Sequence, residues 1–456
     1  MRGGILLKIF NFNFLDDWRA KIYYIPVKYS LYALILSIIV LILEKNYQPY
    51  LLGVLPNIVF TPLEITKTIL STIAGSLLSI VTISFSIIMV VLTTYSTQFS
   101  PRTLQDFLKS KLTLQVLGIF IGGFIYSIVT LMFLNGDGQS VFLSAGVGVL
   151  IVIFCIMYFV MFIHHVSQSI QVNLLIDTLT TEILELVDNV KEFNETHENI
   201  RNEPPDNLEQ IMEKEQFSIY SKEVGFIRDI NDLKLSKFAD EHNIVINAER
   251  MIGDYVTNNT KVFTIYYNLD EMEMDELNEE TLNKCLDFIL VGKERNKSKD
   301  IEFGLQKLTE VALRAISPGI NDPNTAIFCI KQAGMVLDRI AKANIENTYY
   351  YNEDNELILI FEDISFDYLL YKTFYQLRYY SKRDVSVAAS ILEALIIIAE
   401  GNEQKIKDIT WEFGNYIVKG FDEEILEDLD KKYMNGKIEE LAVMTEKSKG
   451  SGIYFE

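Results

Sequence analysis

The chain has 456 residues, 49% of them apolar, and a formal net charge of −21, room enough for two or three domains. The charge is uneven. Residues 1–173 carry ten Lys/Arg and six Asp/Glu, leaving 31 and 56 for residues 174–456, so the two parts stand at +4 and −25. So acidic a second part speaks against nucleic acid as a partner and against docking on anionic lipid.

The first 28 residues hold Arg2, Lys8, Arg19, Lys21 and Lys28 and run into an apolar stretch without a small-residue cleavage site. This predicts an uncleaved membrane-entry segment, with Trp18, Tyr23 and Tyr24 suited to the interface. Four apolar runs predict transmembrane helices at about 26–43, 69–93, 112–134 and 141–163. In the third, Gly118 and Gly122 form a small-xxx-small pair that lets two helices approach closely.

The second run is distinctive. No charged residue falls between Lys67 and Arg102, and small or polar residues recur at steps of three or four: Ser71, Gly75, Ser79, Thr82, Ser86, Met89, Thr93, Ser96 and Ser100. That spacing places them on one helical face. A packing seam uses such a face to bring helices together. A pore uses it as a lining, with Arg102 at the inner mouth.

Positive charges flanking the runs set the orientation. The N-terminal tail has five Lys/Arg and the 101–111 loop has Arg102, Lys109 and Lys111. The 135–140 turn has none, and the 44–68 loop has only Lys45 and Lys67. Four spans with both termini cytoplasmic satisfy these counts, which puts the acidic part inside. Intramembrane charge is too sparse for a proton-coupled pump.

Residues 174–204 read as a helical linker, with Leu175, Leu179, Ile183, Leu186, Val190 and Phe193 at helical spacing, ending at Pro204-Pro205. Packing of this helix on its own soluble domain is expected over self-association. Residues 205–268 alternate and are rich in β-branched and aromatic residues, which predicts a small β-rich insert with a short helix inside it. Residues 269–456 predict a mainly helical domain interrupted by one hairpin turning at Asn352–Asn355. The expected fold class is therefore a four-helix membrane domain followed by a mixed cytoplasmic region.

No complete catalytic signature is present, and Cys155, Cys285 and Cys329 make no ligand or disulfide pattern. No enzyme activity, cofactor or metal site is expected. His164 and His165 lie at the membrane edge but point about 100° apart on a helix, which suits anchoring rather than a shared ligand. The sharpest soluble motif is SPGINDP, residues 317–323. Asp322 suits a helix N-cap, Pro323 the first helical position and Asn321 the turn, so Ser317, Asn321 and Asp322 are expected to form a structural helix–helix junction. An anion-binding loop at that helix start is the alternative, and the Asp322 carboxylate opposes it.

Several stretches together resemble the DUF2254 family of predicted bacterial membrane proteins: residues 70–108 with QFSPR, FIHHVSQSIQV, VGFIRDIN with IGDYV, and EFGLQKLTEVALRAISPGINDPNTA. The resemblance covers nearly the whole chain. It implies a multi-pass inner-membrane protein with a cytoplasmic domain and brings no catalytic residues with it. The chain departs from the family at Gly225-Phe226-Ile227-Arg228, where members carry Gly-Tyr-Val-Gln.

Two functions remain open on this reading. One is a homo-oligomeric, channel-like protein in the bilayer, its second span lining the axis for ions and its acidic domain gating it. The other is a non-conducting scaffold or receptor whose cytoplasmic domain binds a protein or small ligand.

Overall fold

The computed structural model describes residues 23–54, 56, 60–98, 102, 110–134, 141–267, 279–362, 365–448 and 454–455. The charged N-terminal tail, Ser100, Asp106 and the 135–140 turn lie outside the described residues. The chain divides into two compact units, Met1–Val172 and Asn173–Glu456.

Among its described residues the first unit has four helices long and apolar enough to cross a membrane. They are α1 (Tyr24–Val54), α2 (Leu63–Gln98), α3 (Lys111–Phe133) and α4 (Ser144–Ser169). α1 is kinked at Tyr47, where the backbone leaves helical geometry. The helices depart from the expected bounds at several ends: α1 runs on to Val54, α2 spans Leu63–Gln98, and α4 runs on to Ser169. α2 begins ahead of its apolar run, and there Thr66 and Thr68 bond back to the carbonyls of Pro62 and Glu64. α4 starts at Ser144 rather than 141, because Val141–Phe142 (β2) pairs antiparallel with Thr61–Pro62 (β1). That pairing puts the α1–α2 and α3–α4 connections at the same end of the unit.

Glycine sets the helix spacing. A Cβ on Gly118 would lie 3.1 Å from Pro26 Cα, and one on Gly122 would lie 3.2 Å from the Tyr29 carbonyl oxygen, so α1 crosses α3 along the small-xxx-small pair. A Cβ on Gly123 would meet Leu77 at 2.8 Å, and one on Gly148 would meet Leu70 at 3.1 Å, which admits α2 against α3 and α4.

The second unit opens with α5 (Val172–Thr196), which restarts after a break at Ile170-Gln171. Its buried stripe, Ile176, Leu179, Ile183 and Val187, packs into this unit. Gly304 makes room for Ile183, and Asp188 accepts from Arg339 Nε at 2.6 Å. There follow β3 (Ile200–Arg201), α6 (Leu208–Met212), β4 (Glu215–Tyr220), β5 (Gly225–Ile230), α7 (Asp232–Glu241), β6 (Val245–Ala248), β7 (Tyr255–Val256), β8 (Lys261–Tyr267) and β9 (Ile289–Gly292). Next come α8 (Ile301–Ala315), α9 (Pro323–Ala343), β10 (Asn347–Tyr351), β11 (Leu357–Glu362), α10 (Phe366–Tyr380), α11 (Val385–Ala399), α12 (Gln404–Val418) and α13 (Asp428–Met444).

A six-stranded sheet runs β3-β10-β11-β6-β8-β4, with β11 parallel to β6 and the other pairs antiparallel. The stretch read as an insert therefore shares its sheet with the later hairpin. One face buries Ile246, Phe263, Ile265 and Leu359 under α7, and the other buries Val245, Tyr266, Tyr349 and Tyr351. A second sheet orders β7-β5-β9. α11, apolar but for Ser386, Ser390 and Glu393, sits inside the helical layer, where Gly334 of α9 approaches Ala394 closely.

Candidate pore-lining face

α2 has two faces. Leu70, Ala74, Leu77, Ile88, Val91 and Tyr95 are buried and recur at helical spacing. The small and polar positions lie on the opposite side. Ser71, Gly75, Ser79, Thr82, Ser86, Met89 and Thr93 are all exposed, and a Cβ on Gly75 would meet nothing within 4 Å. Packing within the described part of the chain's own bundle therefore does not account for the stripe. Ser96 is half-buried.

The hydroxyls of this face donate inward to the helix itself. Ser79 donates to Gly75 O at 3.0 Å, Thr82 to Leu78 O at 3.1 Å, Ser86 to Thr82 O at 3.1 Å and Thr93 to Met89 O at 2.9 Å. Ser71 reaches Thr68 O at 3.1 Å. Such back-bonding satisfies each donor and leaves oxygen lone pairs turned outward. The stripe presents acceptors.

Its dimensions are informative. From Ser71 to Thr93, at a rise of 1.5 Å per residue, is about 33 Å, close to the ~30 Å hydrocarbon core of a bilayer. At 100° per residue the same interval drifts by only about 40°. The face runs nearly straight along the helix for one bilayer thickness.

The two ends of the bundle are tied differently. At the β1–β2 end, Ser144 N donates to Glu44 Oε1 at 2.6 Å and Tyr126 OH donates to Ser144 O at 2.9 Å. At the other end, Tyr95 OH donates to Ser169 O at 2.8 Å, and Ser110 Oγ lies 3.0 Å from His165 Nε2. His165 thus bridges to the start of α3, while His164 is exposed. Arg102 is exposed beyond the end of α2.

The SPGINDP motif is a helix–helix junction between α8 and α9. Asp322 caps α9, accepting from Thr325 N at 3.2 Å and Thr325 Oγ1 at 2.6 Å, with Pro323 first in the helix. Asn321 serves through its backbone, at φ +53, and its amide donates to Ser317 O at 2.9 Å. Ser317 Oγ donates to Arg314 O at 2.6 Å, tying off α8. Cys155, Cys285 and Cys329 are buried and unpaired, and burial pushes the Cys285 thiol up to about 12, which makes it unreactive.

The family described as a predicted membrane protein (DUF2254) matches residues 19–396. Three uncharacterised mycobacterial proteins, two from strains of Mycobacterium tuberculosis and one from Mycobacterium bovis, are each 26% identical over 338 residues. That alignment covers 73% of this chain and 64% of each relative, so the chain spans just under two thirds of their length. No solved structure matches.

Proposed function

This chain belongs to the DUF2254 family of predicted membrane proteins, and on that premise we propose that it is a homo-oligomeric, channel-like protein of the inner membrane, with α2 of each copy facing a shared axis. The observation that carries the reading is the stripe from Ser71 to Thr93. It is exposed, it is one bilayer thickness long, and its donors are already satisfied. A helix face in lipid gains nothing from hydroxyls, whereas a wet path gains a lining of acceptors.

Outward-facing oxygen lone pairs favour cations over anions. Arg102 opposes this at one end, within a screening length of about 8 Å. The positive-flank counts support cytoplasmic termini, and on this reading the acidic second unit is the regulatory part.

A second reading, a non-conducting scaffold or receptor, draws on Gly75, whose open surroundings admit a close helix neighbour. Both readings place α2 against α2.

Disulfide trapping in a cysteine-free background tests that shared step. Ser79→Cys and Ser86→Cys should form dimers between copies in native membranes, and Ile83→Cys, about 100° from Thr82, should not. Trapping at Ile83 without trapping at Ser79 or Ser86 would remove the axis.

A further inference from the structure

Glu44 lies within the first apolar span, and no Lys or Arg pairs with it among the described residues. A carboxylate at such a position is costly unless something compensates its charge, and it marks a functional group by default. Its hydrogen bond comes from the Ser144 amide at the start of α4, at 2.6 Å, with the Leu143 amide close by. The partial positive charge of a helix start is about half a unit, so the carboxylate keeps a surplus of negative charge there.

A second observation is independent of the carboxylate. Ser144 and Thr130 are both 0% exposed, and neither hydroxyl has a hydrogen-bond partner. Burying a hydroxyl without a partner is costly. Both are turned into the same corner. The Ser144 hydroxyl faces the Glu44 carboxylate without completing a hydrogen bond. Thr130 stands one turn after Tyr126 on α3, and its hydroxyl faces the Tyr126 hydroxyl. Tyr126, also fully buried, donates to Ser144 O at 2.9 Å and keeps its oxygen lone pairs. Val40 and Leu70 pack against Tyr126, which makes the corner polar within apolar walls. Glu44 itself is half-buried, which leaves the carboxylate within reach of the surface.

We infer that this corner binds a small monovalent cation, Na+, through the Glu44 carboxylate, the Ser144 and Thr130 hydroxyls and the Tyr126 phenol oxygen. Every ligand atom is a hard oxygen, the type that suits hard cations over transition metals. One carboxylate balances one positive charge, and a divalent ion leaves an excess. Among the described residues no three His, Cys, Asp or Glu gather to hold one. A proton neutralises Glu44 but leaves the Thr130 oxygen without a partner. The bound cation ties α1, α3 and α4 together at one point. The inference is independent of the stripe on α2 and of both readings of it.

The test is thermal denaturation of the full chain in detergent, with choline chloride exchanged for NaCl at constant ionic strength, and binding of radioactive Na+ to the same samples. MgCl2 and a pH series without Na+ are parallel arms. The midpoint should rise with Na+ and saturate, as ligand linkage requires, at one Na+ per chain. Thr130→Val keeps the shape of the side chain and has no hydrogen bond to lose. It should weaken Na+ binding by about tenfold or more, the loss of one hydrogen-bond-like contact to a charge, with the sodium-free midpoint unchanged or higher. Glu44→Gln should abolish the response. Ser37→Ala removes a buried hydroxyl that donates to Leu34 O on α1 and should leave the response unchanged. If Glu44→Gln fails to fold, Thr130→Val decides alone. A midpoint indifferent to Na+ overturns the inference. So does a larger response to Mg2+ or to acid than to Na+, equal weakening by Ser37→Ala, or a Thr130→Val protein that binds Na+ like the parent.

Discussion

Glu44, three residues before the kink in the first helix, accepts a hydrogen bond at 2.6 Å from the backbone amide of Ser144, one hundred residues later. The fourth helix begins without a side-chain cap of its own, because Leu143 stands at its N-cap position. Helix starts leave four amides unpaired and carry partial positive charge, and Glu44 answers both from another helix. Removing it as Glu44→Ala should cost about 1.5–3 kcal/mol, the range for a hydrogen bond to a charged group. Glu44→Gln keeps an acceptor and should cost less. Thermal denaturation in detergent checks the order, and an alanine variant as stable as the parent would deny Glu44 the capping role.

The α1–α3 crossing rests on glycine. The Cβ atoms of Gly118→Val and Gly122→Val would press on backbone atoms of α1, at Pro26 and Tyr29, which cannot rotate away. The double change should cost at least the 1–3 kcal/mol typical of overpacking and should open α1 to protease. Gly75→Ala, on the open face of α2, should leave the stability of a single chain unaltered. A tolerated double valine would mean that the crossing is looser than described.

At the soluble junction, Asp322→Ala should lower stability by about 0.5–2 kcal/mol through loss of the cap. Asn321→Val should cost about 1–2 kcal/mol, because a β-branched residue resists a left-handed backbone. Asn321→Gly should be tolerated. Chemical denaturation followed by far-UV circular dichroism separates these. If Asp322→Ala kept full stability and abolished binding of an anion instead, the motif would be a ligand loop.

Glu393 on α11 sits between Lys331 of α9 and Lys437 of α13, at 3.0 and 3.1 Å. Burial pushes its pKa up, but the hydrogen bonds and charges of the two lysines outweigh that and hold the carboxyl below its ordinary value of 4.5. A depressed folded value stabilises the fold fully above the ordinary value, and the stabilisation is lost as pH falls through the depressed one. The difference in stability between the parent and Glu393→Gln should therefore be largest above pH 4.5 and shrink on acidification below it. A difference that grew on acidification would contradict the assignment.

The parts legible in the sequence are those set by local rules. Continuous apolar runs marked the four long helices, Gly118 and Gly122 marked a close crossing, and Asp322-Pro323 marked a helix start, because each signal lies within a few residues. The turn at Asn352–Asn355 was equally local, and Asn355 does adopt a left-handed φ of +63. Pairing over distance was not legible. Nothing near Val245–Ala248 announces that it lies parallel to Leu357–Glu362, and the cap given to Ser144 by Glu44 joins two separate helices. The stripe on α2 was readable as a face, but its exposure required the positions of the neighbouring helices.

On the proposed reading the exposed face of α2 lines a path for ions. Replacing Thr82 by Leu adds apolar bulk in every copy around the axis, and a hydrophobic constriction closes a pore by dewetting. Ile83 is about 100° round the helix and half-exposed at 50%, away from the stripe. The measurement is ion flux through purified protein in liposomes, across cations, anions, pH and membrane tension, with assembly checked in parallel. Cation flux is expected in the parent and in Ile83→Leu, with reduced flux in a correctly assembled Thr82→Leu protein. No flux from well-assembled parent protein under any of these conditions, with Thr82→Leu disrupting assembly, would contradict it and leave the stripe as a packing seam.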